Sequence, residues 1–270
     1  MIDIGVITGS GAYEMPVESE PHIVKSRFGE AEIAVFQLGR WMVGAIPRHG
    51  KGHRHLPHTI PHRANLAALE QLGARAVLAA TSVGAVHGVP GRAIIFDDLH
   101  FPDNRLPNGD PCTIFTEAGE PDRGHLIASE PFSPKLRKKM KLAADRLGVE
   151  AEIGGVYAHT NGPRFETRPE IRALESLGVS AVSQTCGPEA VLAGELGMPY
   201  ALAGFPVNYA TGISDPEPKE ELDRLLALSS ETLPKLLLKT VETLEEDDLA
   251  FDHGYVYRVE GGVGKESGAS

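Results

Sequence analysis

Hydroxyls, one arginine and one histidine recur in this chain just after apolar runs. IGVIT leads into Gly9-Ser10-Gly11, and WMVGAIP leads into Arg48-His49-Gly50. AVLAA leads into Thr81-Ser82 ahead of Gly84, and VSAVSQ leads into Thr185. Glycine loops expose backbone N–H groups, hydroxyls donate freely, and a guanidinium offers a planar fork of donors; together they suit a small oxyanion. Two rival ligands fit the first loop poorly. GSGAYE lacks the third glycine of a dinucleotide fingerprint, and no G-K-[ST] follows for a triphosphate loop. Taken alone, the loop is equally a plain tight turn.

Arg48 opens RHGKGHRH, a short basic cluster that continues to His58 and His62. H-x-H-x-x-H is not the helical spacing of a zinc protease, Pro57 breaks any helix there, and no carboxylate or cysteine lies close by. Loop histidines bonding locally are favoured over zinc, and no metal is expected. Cys112 and Cys186 form no knuckle and no disulfide framework, which suits a reducing, cytoplasmic setting. The formal charge of −11, from 37 acidic and 26 basic residues, argues against a nucleic-acid partner. MIDIGVITG does not read as a signal peptide, and no apolar run approaches the length of a membrane span.

Positioning such groups takes a scaffold. Apolar strand-like runs (IGVIT, AEIAVFQLG, WMVGAIP, AVLAATSVG, AIIFDD, GGVYAHT, VSAVSQT, YALAGFPVNYA) alternate with helix-like segments that end at glycines 73, 148, 178 and 197. A last helix over EELDRLLALSSETLPKLLLKTVETLEE is expected to be interrupted near Pro234. The pattern predicts an α/β fold, a three-layer α/β/α domain with a mixed, largely parallel central sheet. That domain is expected over residues 1–260, with a disordered tail over 261–270. Function should then collect at strand ends, where groups from four strands can ring one anion. The Pro-, Gly- and Asp-rich stretch 101–124 reads as a surface excursion at the rim of a site.

Five blocks carry a family resemblance: VITGSGAYE, PRHGKGHRHLPHTIPHRANLAAL, TSVGAVH, NGPRFETRPEIRAL and SQTCGPEAVLAGELGMPYALAGFPVNYATG. In these the chain resembles the trimeric purine nucleoside phosphorylase superfamily, closest to its methylthioadenosine and methylthioinosine phosphorylase branch. The resemblance runs from residue 6 to residue 212. It implies phosphorolysis of a purine nucleoside, with inorganic phosphate as co-substrate and no organic cofactor. It implies a phosphate site of Ser10, Arg48, His49, Thr81, Ser82 and Thr185, and a nucleoside site of Phe165, Glu166, Gln184, Asn208, Ala210, Leu222 and Leu225. His49, Glu166 and Asn208 are the catalytic candidates. A homotrimer is implied, with His125 reaching the neighbouring subunit's site.

Chemistry then selects the base. An ionised Glu166 only accepts hydrogen bonds, which suits the N1–H of a 6-oxopurine and not the N1 lone pair of adenine. Asn208 can donate to N7 or O6. Asn208 and Ala210 stand where the adenine-cleaving branch carries aspartates. Gln184 departs from the methionine usual beside the ribose, and Leu222 and Leu225 align loosely with residues that cover a 5′-methylthio group. The expected substrate is therefore 5′-methylthioinosine, with inosine or guanosine as alternatives. A methylthioadenosine phosphorylase and a non-catalytic nucleoside-binding protein are the other two readings.

Overall fold

The computed structural model describes residues 1–9, 20–260 and 263–264. Ser10 and most of the tail lie outside the described residues; within that tail, Val263–Gly264 pairs with the end of the preceding strand.

The first four strands are β1 (Ile4–Thr8), β2 (Glu20–Ser26), β3 (Gly29–Leu38) and β4 (Trp41–Pro47). They precede α1 (His62–Gln71) and the long β5 (Ala76–Ala85). Next come β6 (Ala93–Ile95), β7 (Asp98–His100), β8 (Gly124–Ala128), α2 (Pro134–Leu147), β9 (Ala151–Ile153) and β10 (Val156–His159). The chain continues through α3 (Arg168–Ser176), β11 (Val179–Ser183), α4 (Cys186–Glu195), β12 (Tyr200–Tyr209), α5 (Lys219–Thr243) and β13 (Gly254–Glu260).

One large mixed sheet carries the fold, in the order β2-β3-β4-β1-β5-β11-β10-β7, with β12, β6 and β9 branching from β5. β1 runs parallel to β4 and β5, and β12 runs parallel to β5; the edge strands β2 and β3 are antiparallel. The central strands are apolar on both sides because helices cover both faces. Val77 and Ala79 of β5 join Leu66 and Leu69 of α1 and Leu192 and Ala193 of α4 in one core cluster. The alternate residues Ala76, Leu78 and Ala80 join Leu136 and Met140 of α2 and Leu236 and Leu237 of α5 in the other. This is the expected three-layer α/β/α arrangement.

Two expectations are corrected. α5 runs unbroken through Pro234, although a proline there removes one backbone hydrogen bond. Leu225, Leu233, Leu236 and Leu237 are all buried, and that packing against α2 and the sheet outweighs the lost bond. The 101–124 stretch is more than a surface excursion. Leu106, Cys112 and Ile114 are buried in the α1–α4 core cluster, and Arg63 of α1 donates to the carbonyls of Pro111 and Thr113. Its beginning does meet the candidate site, where Phe101 packs edge-on against His159.

Candidate active site

The geometry of the site follows from how β5 is shared. β12 accompanies β5 from Val77 to Ala85. The other edge is divided. β1 pairs in parallel up to Ile7–Ala79, and β11 pairs antiparallel only at Val182–Gly84 and Ala181–Ala85. Two strands thus approach head-on and both give way opposite Thr81 and Ser82. Their carboxyl ends and the start of α4 meet there, a switch point of the kind that holds ligands in open α/β sheets. The side chains confirm the meeting. Arg48, just beyond β4, donates from Nη1 to the Ala80 carbonyl at 2.7 Å, and Ser183 Oγ donates to the Ser82 carbonyl at 3.1 Å. A Cβ on Gly9 would lie 2.9 Å from Arg48 Nη1 and 3.4 Å from Thr81 Cα, so only glycine lets the end of β1 approach this closely.

Arg48 is 1% exposed. Its Nε and Nη2 donate to Glu189 Oε1 and Oε2 at 2.6 and 2.8 Å, and Tyr200 Oη donates to Glu189 Oε2 at 2.8 Å. Burial works against the guanidinium charge, but the paired Glu189 carboxylate holds it, and its pKa is raised. Three of its five N–H groups go to described acceptors, which leaves one on each terminal nitrogen.

His49 Nδ1 lies 2.8 Å from the His55 carbonyl, and its ring stacks on His53 at 4.4 Å. A carbonyl can only accept, so Nδ1 carries the proton. Burial, with Arg48 nearby, lowers the His49 pKa to about 4 despite the bond to His55. The ring is therefore neutral, and Nε2 is an acceptor. Toward an anion His49 can therefore take a hydrogen bond only from a protonated oxygen.

Thr81 Oγ1 donates to the Ser82 carbonyl at 3.2 Å, while Ser82 Oγ turns away to Ser229 of α5 at 3.0 Å. Thr185 immediately precedes α4, buried, with Oγ1 3.4 Å from Cys186 Sγ; the N–H groups of Thr185 and Cys186 point at Tyr157 Oη. Burial first of all pushes the Cys186 thiol up to about 11 and raises Tyr157 and Tyr200 well above the usual phenol value, so all three are neutral.

The base-side candidates sit on the loop from β10 to α3 and at the end of β12. Glu166 is almost buried and accepts a short hydrogen bond from Thr160 Oγ1. It does not cap α3: Thr167 and Glu170 form that capping box. Gln184 is held inward, with Nε2 donating to the Arg164 carbonyl at 2.9 Å. Phe165 is 80% exposed in the single chain. Asn208 follows a register shift in β12 and spends one amide N–H on the Tyr209 carbonyl. Ala210 is buried among Val86, Ala158, Ile171 and Val182. Gly212 packs against the stem of Arg168, which brings the end of β12 onto the start of α3, two residues past Glu166. Leu225 belongs to the α2–α5 core and Leu222 is only partly buried against it. His125 is exposed on β8, paired with Tyr257 of β13, far along the sequence from the strand ends.

Sequence reasoning passed over Glu189, Tyr200 and His159 here, and took His62 for a locally bonded loop histidine, whereas it is the first residue of α1. Glu189 had a signal, as a charge in the first turn of a helix that is buried almost all round, beside Ala190, Leu192 and Ala193. Tyr200 reads from sequence as ordinary strand aromatic. His62 and His159 are buried with no hydrogen-bond partner on either nitrogen among the described residues. Burial lowers both to about 3. Of the remaining loop histidines, none joins a cluster of three or more His, Cys, Asp or Glu placed to hold a metal ion among the described residues. No described helix is long and apolar enough to cross a membrane.

Residues 3–242 match the model of the family described as the phosphorylase superfamily. The chain is 36% identical over 253 residues to a 6-oxopurine nucleoside phosphorylase of Pyrococcus furiosus, covering 90% of this chain and 94% of the relative. It is 37% identical over 239 residues to a probable S-methyl-5′-thioinosine phosphorylase of Methanopyrus kandleri, covering 87% and 89%. Among solved structures, a methylthioadenosine phosphorylase of Schistosoma mansoni in complex with adenine superposes with a TM-score of 0.79 at 25% identity, over 90% of this chain and 91% of the other.

Proposed function

Because the chain belongs to the phosphorylase superfamily, we propose that it cleaves the N-glycosidic bond of 6-oxopurine nucleosides with inorganic phosphate, 5′-methylthioinosine first among them. The products are the free base and 5-methylthioribose 1-phosphate. The names carried by the relatives from Pyrococcus and Methanopyrus support this reading. The observation that carries the base preference is Glu166, an acceptor-only carboxylate held by Thr160, beside a β12 end that offers Asn208 and a buried Ala210 in place of acidic groups.

The reaction follows from these roles. Phosphate lies where β1, β5 and β11 meet, against Arg48, His49, Thr81 and Thr185, with Ser82 contributing backbone. The C1′–N9 bond breaks and its electron pair leaves with the purine; a phosphate oxygen supplies the pair for the new C1′–O bond. The proton that HPO₄²⁻ carried is not retained by the ester dianion, and the departing base takes one up, so the balance closes without a side-chain nucleophile or a cofactor. Asn208 donates to N7 or O6 as negative charge gathers on the base, and Glu166 accepts from N1–H. The contribution is preorganised electrostatics and alignment. Phe165 stacks on the base. Gln184 borders the ribose, and Leu222 offers apolar cover for the 5′ group, with Leu225 beneath it.

The assembly reading is a homotrimer in which His125 of one subunit completes a neighbour's site. Its support is the outward face of the β8–β13 ribbon, where His125 stands with the exposed Ile127 and Tyr255. Two buried free thiols suit a cytoplasmic location.

The test is a phosphorolysis panel of inosine, adenosine and their 5′-methylthio forms, with and without phosphate, on protein whose mass is measured by light scattering. With adenine the Glu166 acceptor faces a lone pair. An unpartnered buried acceptor costs about 1–3 kcal/mol, or roughly 10- to 100-fold in kcat/KM. Equal values for the two bases would overturn the base assignment. Cleavage independent of phosphate would overturn the reaction, and a fully active monomer would overturn the trimer.

A further inference from the structure

Arg48 is the residue that ought to draw phosphate in, yet its charge is already committed. Glu189 takes its side-on fork at 2.6 and 2.8 Å, and both side chains are buried. Tyr200 Oη fixes the far carboxylate oxygen at 2.8 Å, and the Ala80 carbonyl fixes Nη1 at 2.7 Å. Glu189 lies in the first turn of α4, where the helix dipole also favours a negative charge. The other titratable groups facing this point are His49, His62, His159, Cys186, Tyr157 and Tyr200, and each is neutral in its buried setting. Among the described residues the cluster's formal charge is therefore zero before any anion arrives.

A buried ion pair is weak evidence for stability, because apolar residues of the same volume often do as well. It has a clear chemical consequence here. Were Arg48 a free cation, it would bind the phosphate dianion tightly and screen it. The ribosyl group turning cationic at C1′ would then face a neutralised partner. A guanidinium pre-neutralised by Glu189 still directs one N–H from each terminal nitrogen but leaves the anion its charge. Binding that strengthens only as C1′ becomes positive raises turnover, whereas tight ground-state binding does not.

We propose that Glu189 is a positioning and charge-compensating residue: it locks Arg48 in one orientation and cancels its charge, so that bound phosphate spends its negative charge on the ribosyl cation. This rests on the phosphorylase reading above.

Glu189→Gln keeps the shape and removes the charge. Inorganic phosphate should then bind at least about 5-fold more tightly by calorimetry, while kcat with inosine falls about 10-fold or more. Loss of packing alone weakens phosphate and kcat together, so a variant that binds phosphate no more tightly than the parent overturns the proposal. Tyr200→Phe works in the opposite sense and leaves the ion pair in place. Without the phenol bond the carboxylate leans harder on Arg48, so phosphate should bind about 2- to 3-fold more weakly. An unchanged phosphate Kd in that variant also overturns the proposal, even where Glu189→Gln fails to fold. The two layers separate cleanly. A parent enzyme that needs no phosphate defeats the phosphorylase reading, whereas a phosphate-dependent parent whose Glu189→Gln variant gains no affinity defeats only the role of Glu189.

Discussion

At the scale of single residues, Arg48 has more obligations than one side chain usually carries. Three of its five N–H groups are committed, two to a buried carboxylate and one to a strand carbonyl. Truncation to alanine would strand Glu189 as an unpaired buried charge, at a cost of about 3–5 kcal/mol, and would confuse folding with function. Arg48→Lys is the cleaner substitution. Lysine keeps a charge beside Glu189, but its three donors on one nitrogen cannot hold a fork, reach Ala80 and bind an anion together. The expected outcome is a folded protein whose kcat/KM for phosphate falls about 10²-fold, the size of one lost preorganised contact. Parity within about threefold of the parent would show that Arg48 does not meet phosphate. His49 illustrates a different point. Nothing in RHGKGHRH fixes its tautomer; the fold, by setting the His55 carbonyl against Nδ1, turns Nε2 into an acceptor.

At the scale of elements, the strand ends were legible because apolar runs stop abruptly at hydroxyls, Arg48 and His49, and because an α/β sheet has one place to gather them. The weaker edge pieces were not legible. EPHIVKS of β2 and GHLIA of β8 are short or heavily exposed and lack a two-sided apolar signal. The Arg48–Glu189 bond spans 141 residues, and no local pattern could join its partners. The β10–α3 loop shows how a small residue fixes an element. Gly162 has φ +52°, and a Cβ there would lie 2.0 Å from Gln184 Oε1, the amide whose nitrogen holds the Arg164 carbonyl. Gly162→Ala must therefore move Gln184, and with it the loop bearing Phe165 and Glu166. It should lower kcat/KM for nucleoside about 10-fold or more while phosphate affinity stays within about twofold, since a misplacement of about an ångström can cost that much. Equal losses in phosphate and nucleoside binding would mean that the substitution disrupts the whole site.

At the scale of the whole molecule, the three buried imidazoles make folding depend on pH. His49, His62 and His159 have folded-state pKa values of about 4, 3 and 3, burial being the first cause in each. In the unfolded chain each returns to about 6.5. The folded values are depressed, so between about 6.5 and 4 the unfolded state holds protons that the native state refuses. The stability is complete above about pH 6.5 and is lost progressively as pH falls toward the folded values. One such histidine contributes a slope of about 1.4 kcal/mol per pH unit, and three contribute about 4 at most. Against a typical total of about 5–15 kcal/mol, that is enough to bring unfolding near pH 5, well above the range where ordinary carboxylates titrate. Urea titrations at pH 7 and pH 5.5 should differ by several kcal/mol, with close to three protons taken up on unfolding at the lower pH. His159→Leu, of similar volume and without a titrating group, should reduce that slope by about a third, because among the described residues His159 makes no hydrogen bond that leucine would forfeit. Stability that is level between pH 7 and 5.5 would mean that these rings are protonated in the native state. A site with three cations beside Arg48 would then bind phosphate by plain attraction, and the neutral strand-end cluster inferred for phosphorolysis would have to be abandoned.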